Sequence, residues 1–160
     1  MDLINLITAT AELHDVDPSL CLAIADKETG LVNSKCRYET KWGYLVSPLK
    51  YAKLLGITEY TEIQQQKFSW GAMQIMGSVA RELGFKGYLN DLTFPENGIF
   101  YAVKKVKVLL SKYKVEADAI SAYNQGNARK TNGVYDNAQY VVDVQAKLLK
   151  LRQLGKVSLV

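Results

Sequence analysis

Histidine and cysteine are scarce in this chain. It has one histidine, His14, and two cysteines, Cys21 and Cys36, with no Cys-x-x-Cys pair. A structural zinc site needs four nitrogen or sulfur ligands at short spacings, so none is expected, and no other metal or cofactor is implied. Long apolar runs are missing too. No stretch approaches the roughly 20 residues that a bilayer span requires, which argues against membrane insertion. The amino terminus, Met1-Asp2-Leu3-Ile4-Asn5, lacks a basic segment followed by a long apolar one. As read, the chain carries no export signal, so action outside the cytoplasm implies release by another factor or a leader already removed. A strong charge bias is also absent. The balance of 20 Lys and Arg against 16 Asp and Glu gives a net +4. The cations (Lys104, Lys105, Lys107, Lys147, Lys150, Arg152) are dispersed as on solvated helix faces, so no nucleic-acid partner is expected.

The 160 residues are the length of one domain and can bury a core without disulfide or metal staples. Hydrophobic residues make up 48% and charged ones 22%, which suits a soluble globular protein expected to act as a monomer. Cys21 falls on an apolar helix face and reads as a small core residue, whereas Cys36 lies in a polar segment. The sequence leaves open whether they pair.

Leu3, Ile4, Leu6, Ile7 and Ala11 recur at helical spacing, so residues 2–13 read as a first helix. Asp17 as N-cap and Pro18 at the first helical position start a second, which ends at Glu28. Residues 31–47 are irregular and rich in aromatic and polar groups, like a loop or small β-hairpin. Pro48 to Leu55 and Glu59 to Phe68 read as short helices around Gly56. After Ser69-Trp70-Gly71 a further helix is expected through Leu83, closed by Gly84. Residues 95–112 carry a helical period, Glu116 to Tyr123 is a short Ala-rich helix, Asn124 to Gly133 reads as loop, and Asp136 to Leu154 as the last helix. Without repeats or linkers, residues 1–160 read as a single, mainly α domain with a small β or loop lobe.

Glu28 is the most informative residue. Leu20, Cys21, Ile24, Ala25 and Glu28 share one helix face, so a carboxylate continues a stripe directed toward the core. Desolvation raises the pKa of such a group, and an acid still protonated near neutrality is what glycosidic cleavage needs to protonate a departing sugar oxygen. A lone Glu at a helix end is more often solvated or ion-paired, so the reading depends on further residues.

Two later segments supply them: Gly71-Ala72-Met73-Gln74-Ile75-Met76 and Ala122-Tyr123-Asn124-Gln125-Gly126. With Glu28-Thr29-Gly30, and in this order, they resemble the soluble lytic transglycosylase family, which shares the lysozyme-like α+β fold and its cleft with goose-type lysozymes. The family pattern is a Glu ending a helix, a Gly-x-Met-Gln segment, then Ala-Tyr-Asn-x-Gly, and the likeness spans about residues 18 to 145. Here residues 31–68 intervene between the first two segments. No residue is carried over for the family's substrate-binding Ser, and Ser69 is only a neighbour of suitable chemistry. Arg37-Tyr38-Glu39 within the intervening segment resembles phage and tail-associated relatives.

The resemblance implies that Glu28 is the catalytic acid and base acting on peptidoglycan glycan strands at the bacterial cell wall. Gln74, Tyr123, Asn124, Met73, Tyr140 and Glu39 are the candidate substrate-binding residues. Chemically the set makes sense: paired amides suit an acetamido group, and aromatic walls such as Tyr123, Trp70, Trp42 and Tyr44 suit sugar faces. Gly71 and Gly126 let backbone approach closely. Each residue also has a plainer reading. Gln74 can cap a turn, Met73 and Met76 can fill core, Asn124 can end a helix, Tyr140 can pack on the face of Val141 and Val144, and Glu39 can pair with Arg37 or Lys41. Two rival functions follow: a goose-type hydrolase with Glu39 as second carboxylate, and a non-catalytic wall-binding virion module. Small size and positive charge fit a phage lysin.

Overall fold

The computed structural model describes residues 2–157, with side chains through Leu154. Those residues fall into two compact units. One joins the amino-terminal segment through Lys27 to the chain from Val103 onward; the other comprises Glu28–Ala102. No helix among the described residues is long and apolar enough to cross a membrane.

The first unit is helical. α1 (Leu3–Leu13) begins where Asp2 accepts from the Asn5 amide at 2.8 Å, an N-cap that satisfies one of the unpaired first-turn N–H groups. α2 (Pro18–Thr29) starts on Asp17, whose carboxylate accepts from Ser19 N at 2.8 Å. The second start agrees with the cap read from sequence, whereas Asp2, read as the first residue of its helix, is that helix's cap. α6 (Pro95–Lys112) enters this unit in its second half, followed by α7 (Glu116–Gln125) and α8 (Ala138–Val157). α7 packs on α8, and Ile120, Val141, Val144 and Leu148 are buried in the unit.

Ion pairs line α8. Lys27 meets Asp143 at 2.6 Å, Lys147 pairs with Asp26, and Arg152 reaches Asp17 and Glu116, each at 2.7 Å. Each pair is partly exposed and screened by solvent, so they set register rather than supply the stability of the unit. Burial inside α2 pushes the Cys21 thiol up to about 12, with the Asp17 charge adding to the effect. Cys21 and Cys36 are both free.

Between α7 and α8 the expected loop proves more ordered. α7 continues to Gln125, and β4 (Lys130–Thr131) pairs antiparallel with β5 (Val134–Tyr135). Asn132 and Gly133 hold φ of 52° and 79°, the two left-handed residues that a two-residue hairpin turn requires.

The second unit carries the small sheet. β1 (Cys36–Tyr38), β2 (Phe68–Trp70) and β3 (Ile75–Met76) form an antiparallel sheet in that order, with Arg37 opposite Ser69 and Ser69 opposite Met76. The helix expected after Gly71 and through Leu83 is therefore corrected. Its first part is a turn and a strand, and only α5 (Gly77–Glu82) is helical. Gly71 and Gln74 have φ of 72° and 50°, which no right-handed helix accommodates, while Phe68 and Trp70 favour a pleated surface. The helical spacing of Met73 and Met76 is coincidental, although both are buried.

α3 (Pro48–Leu55) and α4 (Glu59–Gln66) form a helical hairpin through Gly56. Beneath it lies a fully buried ion pair. Arg81 Nε meets Glu62 Oε1 at 2.8 Å and its second nitrogen meets Oε2 at 3.0 Å, while Arg81 also donates to the carbonyls of Phe85 and Gly87. Gln66 donates to the same carboxylate at 2.9 Å, and the guanidinium sits 4.3 Å from the Tyr51 ring centroid. Every partner is satisfied, the condition under which burying two charges is tolerated.

Candidate active site

In the second unit, Glu28 is half-buried on the last turn of α2. The residue after it is tied down. Thr29 is buried, donates its hydroxyl to the Ala72 carbonyl at 2.8 Å, and accepts from Val32 N at 3.1 Å. Lys35 Nζ donates to the Thr29 carbonyl at 2.9 Å, a cation satisfying an end-of-helix acceptor. The helix end and the Gly71–Gln74 turn are thus one fixed piece.

That turn is built from unusual backbone. Gly71 combines φ 72° with a close neighbour, since a Cβ added there would lie 2.9 Å from the Leu92 carbonyl oxygen. Gln74, a non-glycine residue at φ 50°, is held there by its own side chain. Its Nε2 donates to the carbonyls of Gly71 at 2.8 Å and Lys35 at 3.1 Å, and its Oε1 accepts from Ser69 Oγ at 2.8 Å. Backbone carbonyls can only accept, so both amide protons are engaged and the remaining capacity of Gln74 is a lone pair on Oε1. Met73 is fully buried and supports the turn from inside.

Glu39 stands at the end of β1, half-buried and paired with Arg37 Nε at 2.6 Å. Of the proposed sugar platforms, Trp70 is corrected: it is buried, stacks on Phe68 at 5.3 Å, and donates its indole N–H to the Gln65 carbonyl. Trp42 is half-buried with its N–H on Ser78 Oγ, and Tyr44 is exposed. On the same sheet face as Trp70, Phe68 is flanked at 5.1 Å by Tyr38, an exposed ring that the sequence did not single out as a platform.

In the first unit, Ala122 to Gly126 form the closing turn of α7. Gly126 has φ 85° and donates to the Ala122 carbonyl at 2.9 Å, the left-handed cap that ends a helix. No atom lies within 4 Å of where its Cβ would be, so this glycine serves the cap rather than a close approach. Tyr123 is buried, with Lys105 Nζ 4.0 Å from its ring centroid and donating to its carbonyl at 2.7 Å. Asn124 is exposed and within the helix, and its Oδ1 accepts from Asn137 Nδ2 at 3.1 Å. Tyr140 is buried on α8 beside Val141.

The second unit therefore holds Glu28, Met73 and Gln74 on a locked helix end and turn, with Glu39 directly after strand β1, and the first holds Tyr123, Asn124 and Tyr140. Thr29, Lys35, Lys105 and Asn137 were not singled out from sequence. Thr29 had a legible signal in its place after Glu28; the others act through contacts with residues distant along the chain.

A mostly helical chain with a small antiparallel sheet and a Glu closing its second helix is of the lysozyme-like class. Residues 5–140 match the family described as the transglycosylase SLT domain, and the chain belongs to that family, whose members cleave glycosidic bonds of peptidoglycan. No curated protein and no solved structure matches the chain.

Proposed function

We propose that this protein is a peptidoglycan lytic transglycosylase that cleaves the β-1,4 bond between N-acetylmuramic acid and N-acetylglucosamine, with Glu28 as both acid and base. The observation that carries the reading is the half-buried Glu28 on a helix end that Thr29 fastens to the Gly71–Gln74 turn. Protonated Glu28 gives its proton to the glycosidic oxygen as the C1–O bond breaks. The muramic acetamido oxygen stabilises the electron-poor C1. Glu28, now a carboxylate, takes the proton from the C6 hydroxyl, whose oxygen closes on C1. The products are a 1,6-anhydro end and a free sugar hydroxyl, no water is consumed, and Glu28 returns to its starting state.

Each amide suits one half of an acetamido group. Gln74 offers an acceptor, suited to an acetamido N–H, and Asn124 offers a donor, suited to the carbonyl. In one unit Met73 backs the turn and Glu39 with Arg37 borders the glycan; in the other, Tyr123 and Tyr140 serve as substrate-binding residues. Glu39 is paired with Arg37 at 2.6 Å; as the second carboxylate of a hydrolase it is the alternative that the product analysis below separates. The setting is a phage-type lysin acting as a monomer on the cell wall, a reading supported by the Arg37-Tyr38-Glu39 segment.

Mass spectrometry of muropeptides released from purified cell walls tests the proposal. Anhydro ends are expected; reducing ends alone would replace it with the hydrolase. Glu28→Gln keeps shape and removes the acid, so turnover is expected to fall about 10²–10⁴-fold. Equal wall clearing by both proteins would remove Glu28 from the chemistry, and no clearing by either would leave a non-catalytic binding module.

A further inference from the structure

We infer that Asn137 is a positioning residue that sets which half of the Asn124 amide is offered to substrate. A backbone carbonyl can only accept, and Asn137 Nδ2 donates to the Ser121 carbonyl at 3.1 Å, which identifies that side of its amide as the NH2 group. Its Oδ1 accepts from Ser121 Oγ at 2.7 Å, and Gln125 Nε2 donates to the same hydroxyl at 3.1 Å, which orients the hydroxyl proton toward Asn137. The second Nδ2 proton of Asn137 goes to Asn124 Oδ1 at 3.1 Å. Asn124 is exposed, and with one lone pair of its oxygen committed to Asn137 and that oxygen turned toward it, the Nδ2 protons are the half directed away from Asn137 and offered to a ligand. A donor pair at this position selects a carbonyl or carboxylate oxygen and discriminates against an N–H. On the proposed function, from which this inference takes its ligand, the selected group is the acetamido carbonyl of an N-acetyl sugar.

Asn137 lies 13 residues beyond Asn124, after the β4–β5 hairpin, and the whole chain of hydrogen bonds from Ser121 through Asn137 to Asn124 stays within one compact unit. The hairpin thus returns the chain so that a residue outside the Ala-Tyr-Asn-x-Gly segment determines the polarity of the segment's own asparagine.

Asn137→Asp tests this directly. The carboxylate still accepts from Ser121 Oγ but can donate neither to Asn124 Oδ1 nor to the Ser121 carbonyl, so Asn124 turns its NH2 toward it and presents Oδ1 instead, and the loss at the Ser121 carbonyl is the structural part that the Asn124→Ala background below separates. For soluble peptidoglycan glycan fragments, KM is expected to rise about two- to tenfold with kcat nearly unchanged, the size and pattern of one lost neutral hydrogen bond made equally in ground and transition states. In an Asn124→Ala background the same substitution is expected to have no further effect on KM. A purely structural role would raise KM in both backgrounds and would overturn the inference. Side-chain amide hydrogen exchange gives a readout independent of turnover. In the unmodified protein the Asn137 NH2 is expected to exchange slowly and the Asn124 NH2 fast, and the reverse order would also overturn the lock without need of any variant. If Asn124→Ala leaves KM unaltered while Glu28→Gln is inactive, the sugar contact is refuted and the enzyme reading stands. If Glu28→Gln is fully active, the proposed function fails and the exchange order still decides the lock.

Discussion

Thr29 Oγ1 donates a 2.8 Å hydrogen bond to the Ala72 carbonyl, joining two residues 43 apart in sequence that belong to separate short motifs. Through this bond the residue next to Glu28 and the turn that carries Gln74 become one rigid part. Thr29→Val keeps the volume and removes the hydroxyl, leaving the Ala72 carbonyl and the Val32 N–H without it. The expected loss is about 1–3 kcal/mol by denaturant unfolding, with a fall in kcat. Thr29→Ser should restore most of both. A Val variant with unaltered stability and turnover would show the bond to be incidental.

The Glu62–Arg81 pair should behave as a unit. Neither side chain is exposed, so Glu62→Gln leaves a buried guanidinium uncompensated, at an expected cost of about 3–5 kcal/mol. Replacing both with apolar residues of similar volume should cost less than the sum of the single changes, although the Phe85 and Gly87 carbonyls lose their donor in either case. Chemical unfolding of the two singles and the double measures the coupling. Additive losses would contradict it.

Acid should loosen the β4–β5 hairpin. Hydrogen bonds from Tyr135 at 2.6 Å and Lys130 at 2.9 Å hold the Asp118 carboxyl below the usual carboxylate range. A carboxyl whose pKa is lower folded than unfolded adds stability above its unfolded value, about 4, and that stability is lost as pH falls through the folded value. The Lys130 ammonium is shifted upward by the same partners, so its contribution is present in the neutral range and lost only as strong alkali deprotonates it. Melting temperature followed from pH 7 to pH 2 should fall less for Asp118→Asn than for the unmodified protein. Parallel curves would remove Asp118 from the acid response. The effect is screened by salt because the pair is partly exposed.

The two thiols should differ in reactivity. Cys36 is exposed on β1 and Cys21 is buried with its pKa pushed up to about 12, so an alkylating reagent near neutral pH should label Cys36 alone in the native state and both after denaturation. Peptide mapping identifies the modified residue. Native labelling of Cys21 would contradict its burial in α2.

Local signals carried most of the helical layout. Asp17 and Pro18 mark the start of α2, the spacing of Ile99, Val103 and Val106 marks α6, and each acts over a few residues, within reach of a linear reading. Local signals misled where two of them competed. Met73 and Met76 have helical spacing, but the left-handed backbone at Gly71 and Gln74 prevails because each is held by bonds to Lys35, far back in the chain. Asn132-Gly133 was a strong hairpin signal inside a stretch read only as loop.

The sequence by itself determined the chemistry available: a Glu at a helix end, a Gly-x-Met-Gln segment, an Ala-Tyr-Asn-x-Gly segment, and a single histidine with two cysteines. Tertiary structure alone decided how those groups are held. It directs the amide of Gln74 to two carbonyls, that of Asn124 to Asn137, and the Arg81 cation to Glu62. Hydrogen bonds and buried charges depend on distance in space, and residues 13, 39 or 19 apart meet only after the chain has folded.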